Sequence, residues 1–153
     1  MSSYASHLPP GVAFGLVVGL GLNAVELAQN PQLGAAIVHD LNRLPGLPFA
    51  DGVLDACLIT VSVQYLIQPV AVFAEIARVL RPGSPCIVTF SNRMFPTKAV
   101  AIWRAVGDAD HARLVAHYFN QSGGFEPPRI ADLSPQPGVT DPLFAVVANR
   151  RTA

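Results

Sequence analysis

Short apolar runs alternate along this chain with segments of helical periodicity. The runs are rich in β-branched residues and nearly free of charge, which is typical of strands buried in a sheet. They occupy residues 13–19, 35–39, 53–61, 86–90 and 143–148. We therefore predict five buried strands, with a further short strand at residues 129–133 inside a proline-rich stretch.

Helices are predicted between most of these runs. Asn23 and Glu26 form the capping-box pattern that opens a helix after the first run. A longer helix follows Pro69, which a first helical turn tolerates, and one apolar face recurs along it. That face comprises Val70, Phe73, Ile76, Ala77 and Leu80. Two more helices are expected, one around Trp103 and one over residues 109–119 capped by Asp108.

This alternation of strand and helix predicts an α/β fold. Strand, helix and strand succeed one another as in right-handed crossovers, so we expect a Rossmann-like, mostly parallel sheet with helices on both faces and an antiparallel end. No internal repeat and no low-complexity linker divides the sequence. Residues 1–153 are therefore expected to form a single domain.

Composition narrows the classes of partner. The chain has 153 residues, 51% of them hydrophobic and 13% charged, and no net charge. Without clustered Lys and Arg we expect neither nucleic acid nor anionic lipid as a partner. The longest apolar stretch, residues 12–22, is about half of what a bilayer crossing needs, and no export signal precedes it, so a cytoplasmic location is expected. Cys57 and Cys86 are interpreted as reduced core thiols.

One glycine pattern suggests a nucleotide site. The string GLGLNA at residues 19–24 follows a predicted strand and opens a helix, and Asp40 ends the next strand about 20 residues later. This matches the dinucleotide fingerprint, in which glycines approach a pyrophosphate and the acidic residue binds ribose hydroxyls. An NAD(P)-binding oxidoreductase using Gly19, Gly21 and Asp40 is therefore one alternative.

A longer stretch of the sequence indicates a different family. Asp40 and Leu41 are followed by LPFAD at residues 47–51, by LD at 54–55 and by AEIARVLRPG at 74–83. In order and spacing this block resembles the second half of a class I S-adenosylmethionine-dependent methyltransferase of the type 11 kind. Three positions depart from the family pattern, namely Leu54, Arg81 and Ser84.

The resemblance implies a cofactor, a reaction and a set of binding residues. It implies S-adenosylmethionine as cofactor and methyl transfer to a small-molecule acceptor. Asn23 stands where many members place a ribose-binding carboxylate, Asp40 and Leu41 belong beside adenine, and Ser62 ends a strand facing the cofactor. The candidate cofactor-binding residues are Gly21, Asn23, Asp40, Leu41 and Ser62. A purely structural role is the alternative for three of them: Asn23 also suits a helix cap, and Asp40 and Ser62 also suit turns.

Charged residues in the second half suggest an acceptor site. Arg93 and Lys98 follow the fourth predicted strand, on the side where the family's acceptors enter, and they are candidate ligands of a carboxylate or phosphate. The alternative is ordinary surface charge. His111 and His117 lie on different faces of one predicted helix, so no metal site is expected there.

The resemblance also makes an expectation about the N-terminus. Aligned on Asp40, the family's first strand and its cofactor-binding turn belong before Met1, which makes this domain incomplete at its N-terminus. We then expect exposed sheet edges, possible self-association through them, and weak cofactor binding by residues 1–153 alone. A third reading is accordingly a non-catalytic remnant or interaction module.

Overall fold

The computed structural model describes residues 7–152, and the chain divides into two compact units, Met1–Leu44 and Pro45–Ala153. Strands and helices alternate through most of both units. The strands are β1 (Val18–Gly21), β2 (Ala35–Val38), β3 (Cys57–Thr60), β4 (Pro85–Phe90), β5 (Arg129–Asp132) and β6 (Phe144–Asn149). The helices are α1 (Ala24–Ala28), α2 (Pro69–Val79), α3 (Ala101–Ala105) and α4 (Asp108–Ser122).

The first unit is a small βαβ arrangement. β1 and β2 are parallel, and Gly21 of β1 pairs with Val38 of β2. Helix α1 connects them, and its Leu27 is the one fully buried side chain among the described residues of this unit. Gly19 lies against the side chains of Leu27 and Leu33, where a Cβ atom would have no room. Close packing therefore accounts for this glycine.

The second unit is built on a mixed four-stranded sheet. Its strand order is β3-β4-β6-β5, with β3 and β4 parallel and the remaining neighbours antiparallel. The residues of β4 alternate between half-buried and fully buried positions. Parallel pairing joined by a crossover helix, followed by an antiparallel end, is the predicted α/β architecture.

Aromatic side chains fill the core of the second unit. Phe73 of α2 meets Phe119 of α4 edge to face at 4.7 Å, and Phe90 of β4 meets Trp103 of α3 at 5.2 Å. All four side chains have no exposed area. These contacts bury a large apolar surface, which is the main stabilising contribution to a domain of this size.

The structure moves several predicted boundaries. β1 begins at Val18 rather than at residue 13 and runs through Gly21, so the glycines lie inside the strand. Residues 53–56 precede β3, where Leu54 forms an isolated bridge with Leu80. Helix α4 has Gly107 at its N-cap, so the prediction that Asp108 caps it is wrong.

Other predictions agree closely with the structure. The helix after Pro69, the capping role of Asn23 and the short strand near residue 129 all occur as expected.

Among the described residues, no helix combines the length and the apolar character needed to span a bilayer.

Candidate functional site

The predicted cofactor residues of the first unit meet at one edge of its sheet. Gly21 is the last residue of β1, and its carbonyl accepts a hydrogen bond from the His39 N–H at 2.9 Å, just beyond the end of β2. Because β1 and β2 are parallel, Asn23 and Asp40 follow the carboxyl ends of neighbouring strands. Ligands of open α/β sheets bind in this kind of position.

Asp40 is held in a turn and lines an open cavity. Its carboxylate accepts the Asn42 N–H at 2.9 Å, and its carbonyl accepts the Leu44 N–H, also at 2.9 Å. The cavity measures about 390 Å³, within the usual range for small-molecule sites. It is lined by Val38, His39, Asp40, Arg43 and Leu44. Leu41 comes directly after Asp40 and is half-buried outside this lining.

The side chain of Asn23 caps helix α1. Its side-chain oxygen accepts the N–H groups of Val25 at 3.0 Å and Glu26 at 3.3 Å, and its amide donates to the Glu26 carboxylate at 3.0 Å. This is a complete capping box, which satisfies N–H groups that the first helical turn leaves unpaired. The capping interpretation of Asn23 is thus confirmed, and one amide proton is left over for a ligand.

Ser62 follows β3 at the corresponding edge of the second unit. It precedes a single 3₁₀ turn, Val63–Tyr65, and its side chain makes no capping hydrogen bond to that turn. The residue before it, Val61, has φ 48°, a left-handed conformation that is unfavourable for a β-branched side chain. The Val61 N–H nevertheless donates to the Thr89 carbonyl at 2.8 Å, which keeps the strand end in place.

Arg93 and Lys98, the predicted acceptor-binding residues, both have local partners. Arg93 Nε donates to the Asp141 carboxylate at 2.7 Å, and this carboxylate raises the pKa of the guanidinium. Lys98 Nζ lies 5.4 Å from the centroid of the Phe95 ring, a cation–π distance. Much of the positive charge of this segment is therefore already offset within the chain.

The sequence prediction missed a charged network that fixes the LPFAD loop. The Arg78 guanidinium donates to Asp51 at 2.6 Å, to Glu75 at 2.7 Å and to the Phe49 and Leu47 carbonyls at 2.9 and 3.0 Å. Glu75 in turn accepts the Leu47 N–H at 2.9 Å. The guanidinium holds the pKa of Glu75 below its ordinary value, and both carboxylates raise the pKa of Arg78. The ExxR spacing on one helix face was the available signal.

Glycine geometry separates the two nucleotide-binding hypotheses. A dinucleotide fingerprint needs its first glycines in a tight turn between strand and helix, where they approach the pyrophosphate. Here Gly19 and Gly21 lie within β1, paired with Ala36 and Val38. Packing within the unit thus accounts for Gly19, and neither glycine lies in the turn between β1 and α1 that the NAD(P) interpretation requires of them.

The buried histidine of α4, His111, is structural. His111 is buried, its ring stacks on Trp103 at 4.1 Å, and its Nε2 lies 2.7 Å from the Trp103 carbonyl oxygen. Over residues 7–152 no three His, Cys, Asp or Glu side chains gather in a way that could hold a metal ion.

Comparison with known proteins identifies the family. The family model described as "Methyltransferase domain" matches residues 6–88, more than half of the chain. The demethylmenaquinone methyltransferase of Mycolicibacterium vanbaalenii is 32% identical over 108 residues, a match covering 58% of this chain and 47% of that protein. The chain therefore spans about half the length of this curated relative.

Solved structures share the fold at low identity. The [4+2]-cyclase SpnF superposes with a TM-score of 0.67 at 16% identity, covering 90% of this chain and 68% of that one. A geranyl diphosphate methyltransferase in complex with S-adenosylmethionine gives a TM-score of 0.55 at 17% identity, covering 88% and 68%. Together with the family match, these similarities show that the chain belongs to the S-adenosylmethionine-dependent methyltransferase family and has its Rossmann-like fold.

Proposed function

We propose that this chain takes part in methyl transfer from S-adenosylmethionine to a small-molecule acceptor. The observation that carries the proposal is the placement of Asp40. Asp40 lines an open cavity just beyond the end of β2, in a chain of the methyltransferase family. When bound, the cofactor supplies a methyl group on a sulfonium, and the protein contributes mainly proximity and orientation.

The proposed cofactor residues act by binding. Asp40 accepts a hydrogen bond from the adenine amino group, and Leu41 packs on the adenine ring. Asn23 offers its remaining amide proton to a ribose hydroxyl, which makes it a weaker partner than a bidentate carboxylate. Gly21 belongs to the same proposed set, and Ser62 of the second unit is proposed on the family resemblance alone. The transfer needs no nucleophilic side chain, so we name no catalytic residue.

Arg93 and Lys98 are the proposed acceptor-binding residues. A carboxylate or phosphate would bind them only by competing with the partners that they already have within the chain, Asp141 and Phe95. An anion approaching Arg93 must share the guanidinium with Asp141, whose carboxylate already occupies Nε. Exposed pairs of this kind are weak, so the exchange is cheap in free energy. An anionic acceptor is therefore the substrate class proposed for this segment.

The edges of the two sheets support a second proposal, association with another strand. Among the described residues β1 pairs with β2 alone, and β3 pairs with β4 alone. Their sequences, VGLG and CLIT, contain no Lys or Pro, the residues that commonly protect an edge from pairing. We propose that each edge accepts a further strand from a second copy of the chain.

A radiometric transfer assay tests the main proposal. The 153-residue chain and a longer chain carrying a family first strand at its N-terminus receive S-adenosylmethionine labelled on its methyl group. Demethylmenaquinone, the substrate named for the relative, is the first acceptor tried. We expect transfer by the longer chain and little or none by the shorter. Dimers of the shorter chain in size-exclusion chromatography, with no cofactor binding by either form, would favour the interaction module.

A cytoplasmic location stays a prediction.

A further inference from the structure

The two cysteines of the chain lie directly opposite each other on neighbouring strands. Cys57 opens β3, Cys86 is the second residue of β4, and the two residues are paired in the parallel register. The Cα atoms of such neighbours are roughly 4.8 Å apart, and disulfides join Cα atoms that are roughly 4.4–6.8 Å apart. Because paired residues project from the same face of a sheet, the register places both thiols at a separation that a disulfide can span.

The thiol of Cys86 has one reactive neighbour in the sheet. On its other side Ala148 of β6 stands opposite Cys86 in the antiparallel register, and both residues are buried. Cys86 has no exposed area, so solutes do not reach its sulfur directly. Its thiol is hydrogen-bonded to the thiol of Cys57. Chemistry at Cys86 is therefore expected to pass through Cys57.

Cys57 is the more accessible member of the pair. It is half-buried on β3, which among the described residues pairs with β4 alone and so forms an edge of its sheet. The hydrogen bond between the two thiols lowers the pKa of Cys57 and raises the pKa of Cys86, where burial adds to the rise. A thiol needs both access and thiolate character to react with an oxidant. Cys57 has more of both than Cys86 has.

We propose that Cys57 and Cys86 form a reversible disulfide when the chain meets a peroxide. The Cys57 thiolate attacks one oxygen of hydrogen peroxide, the O–O bond breaks, and a sulfenic acid and a hydroxide form. The Cys86 sulfur then attacks the Cys57 sulfur, the S–O bond breaks, and a second hydroxide leaves. The two thiol protons convert both hydroxides to water. The thiols lose two electrons, which reduce the peroxide, and a thiol reductant reverses the reaction by exchange.

The disulfide would join β3 to β4 near their amino ends. It would close a loop that contains all of helix α2. A cross-link between residues this far apart in sequence restricts mainly the unfolded chain, which stabilises the fold. Ser62 lies beyond the opposite, carboxyl end of β3. We therefore expect oxidation to stabilise the fold without touching Ser62.

Peroxide oxidation of the 153-residue chain tests the proposal. The chain has two cysteines, so an internal disulfide can join only this pair. We expect mass spectrometry of the alkylated, digested chain to find the Cys57 and Cys86 peptides joined. The oxidised chain should melt about 5–10 °C above the reduced chain, and dithiothreitol should remove the difference. The double variant Cys57→Ser/Cys86→Ser, treated identically, is the control for oxidation of methionine.

Single variants test the order of the two steps. Cys86→Ser should stop at a Cys57 sulfenic acid that dimedone labels, whereas Cys57→Ser should stay unlabelled because its remaining thiol is buried. Thermal unfolding before oxidation shows whether each variant is folded, and Cys57→Ala and Cys86→Ala serve if the serine variants are not. Equal labelling of the two single variants would overturn the proposed order.

Three results would overturn the disulfide itself. These are no internal disulfide in the folded wild-type chain, disulfide-linked dimers in its place, and an internal disulfide that lowers the melting temperature.

Discussion

The Arg78 guanidinium on α2 lies 2.6 Å from the carboxylate of Asp51, 27 positions earlier in the chain. The same guanidinium donates to the carbonyls of Leu47 and Phe49 in the loop that leads to Asp51, so one side chain fixes the path of residues 47–51. The planar arrangement of five N–H donors makes this possible, and a lysine ammonium does not reproduce it.

Arg78→Lys should therefore loosen the loop. We expect a lower melting temperature and about tenfold faster hydrogen exchange at the Leu47 amide, the scale of one charge-assisted hydrogen bond. Arg113→Lys is the matched control, because Arg113 pairs with Asp110 on the exposed face of α4 at the same i,i+3 spacing. If both substitutions change exchange at Leu47 equally, the loop is held by something else.

Glu75→Gln should change how stability depends on acid. Arg78 lowers the pKa of Glu75 from 4.5, so this carboxylate stabilises the fold above that pH, and the contribution is lost as pH falls through the lower folded pKa. The variant should be less stable at neutral pH and should lose less stability between about pH 5 and 3. Urea unfolding at several pH values measures both effects, with Glu126→Gln as the control for removing one carboxylate. Parallel acid profiles for wild type and Glu75→Gln would refute the assignment.

Glycines after α4 should tolerate a methyl group poorly. Gly123 has φ 74° at the C-cap of α4, and a Cβ on Gly124 would run into Ala77 of α2. We expect Gly123→Ala to cost about 1 kcal/mol and Gly124→Ala about 1–3 kcal/mol. Gly15→Ala is the control, since its Cβ would meet nothing within 4 Å. Denaturant unfolding gives the three values, and equal costs at Gly124 and Gly15 would contradict the packing.

Asp40 should affect affinity for S-adenosylmethionine directly. Asp40→Ala is expected to weaken binding about tenfold, the loss of a hydrogen bond of roughly 1.5 kcal/mol. Asp40→Asn keeps an oxygen for the Asn42 N–H and so preserves the turn. If Asn binds as wild type does while Ala does not, Asp40 acts through the turn rather than through adenine. Calorimetric titration of the chain extended by a family first strand makes the comparison.

Local patterns were enough to predict most elements of the fold. The apolar face of α2 and the capping box at Asn23 are set by neighbours within one or two turns, and both were found in place. The first strand was misplaced because its glycines resemble a turn in sequence. Gly19 is a glycine because a Cβ atom would collide with the side chains of Leu27 and Leu33, which come later in the chain.

Long-range features of the candidate site were less predictable. Asp40 was identified because it ends a strand at a family-like spacing, and the structure places it at a cavity. Asp51 lies 27 residues from Arg78 and Asp141 lies 48 residues from Arg93, and no local pattern indicates either pair. Similarly, Gln64 follows no apolar periodicity, so its complete burial was visible only in three dimensions.

An NMR titration of the ¹⁵N-labelled 153-residue chain with S-adenosylmethionine tests the central claim most directly. The account predicts saturable shifts at Gly21, Asp40 and Leu41, with a dissociation constant of about 1 mM or weaker, and smaller shifts with NAD at equal concentration. Shifts at these amides with NAD at lower concentration than with S-adenosylmethionine, or none with S-adenosylmethionine up to about 10 mM, would contradict it.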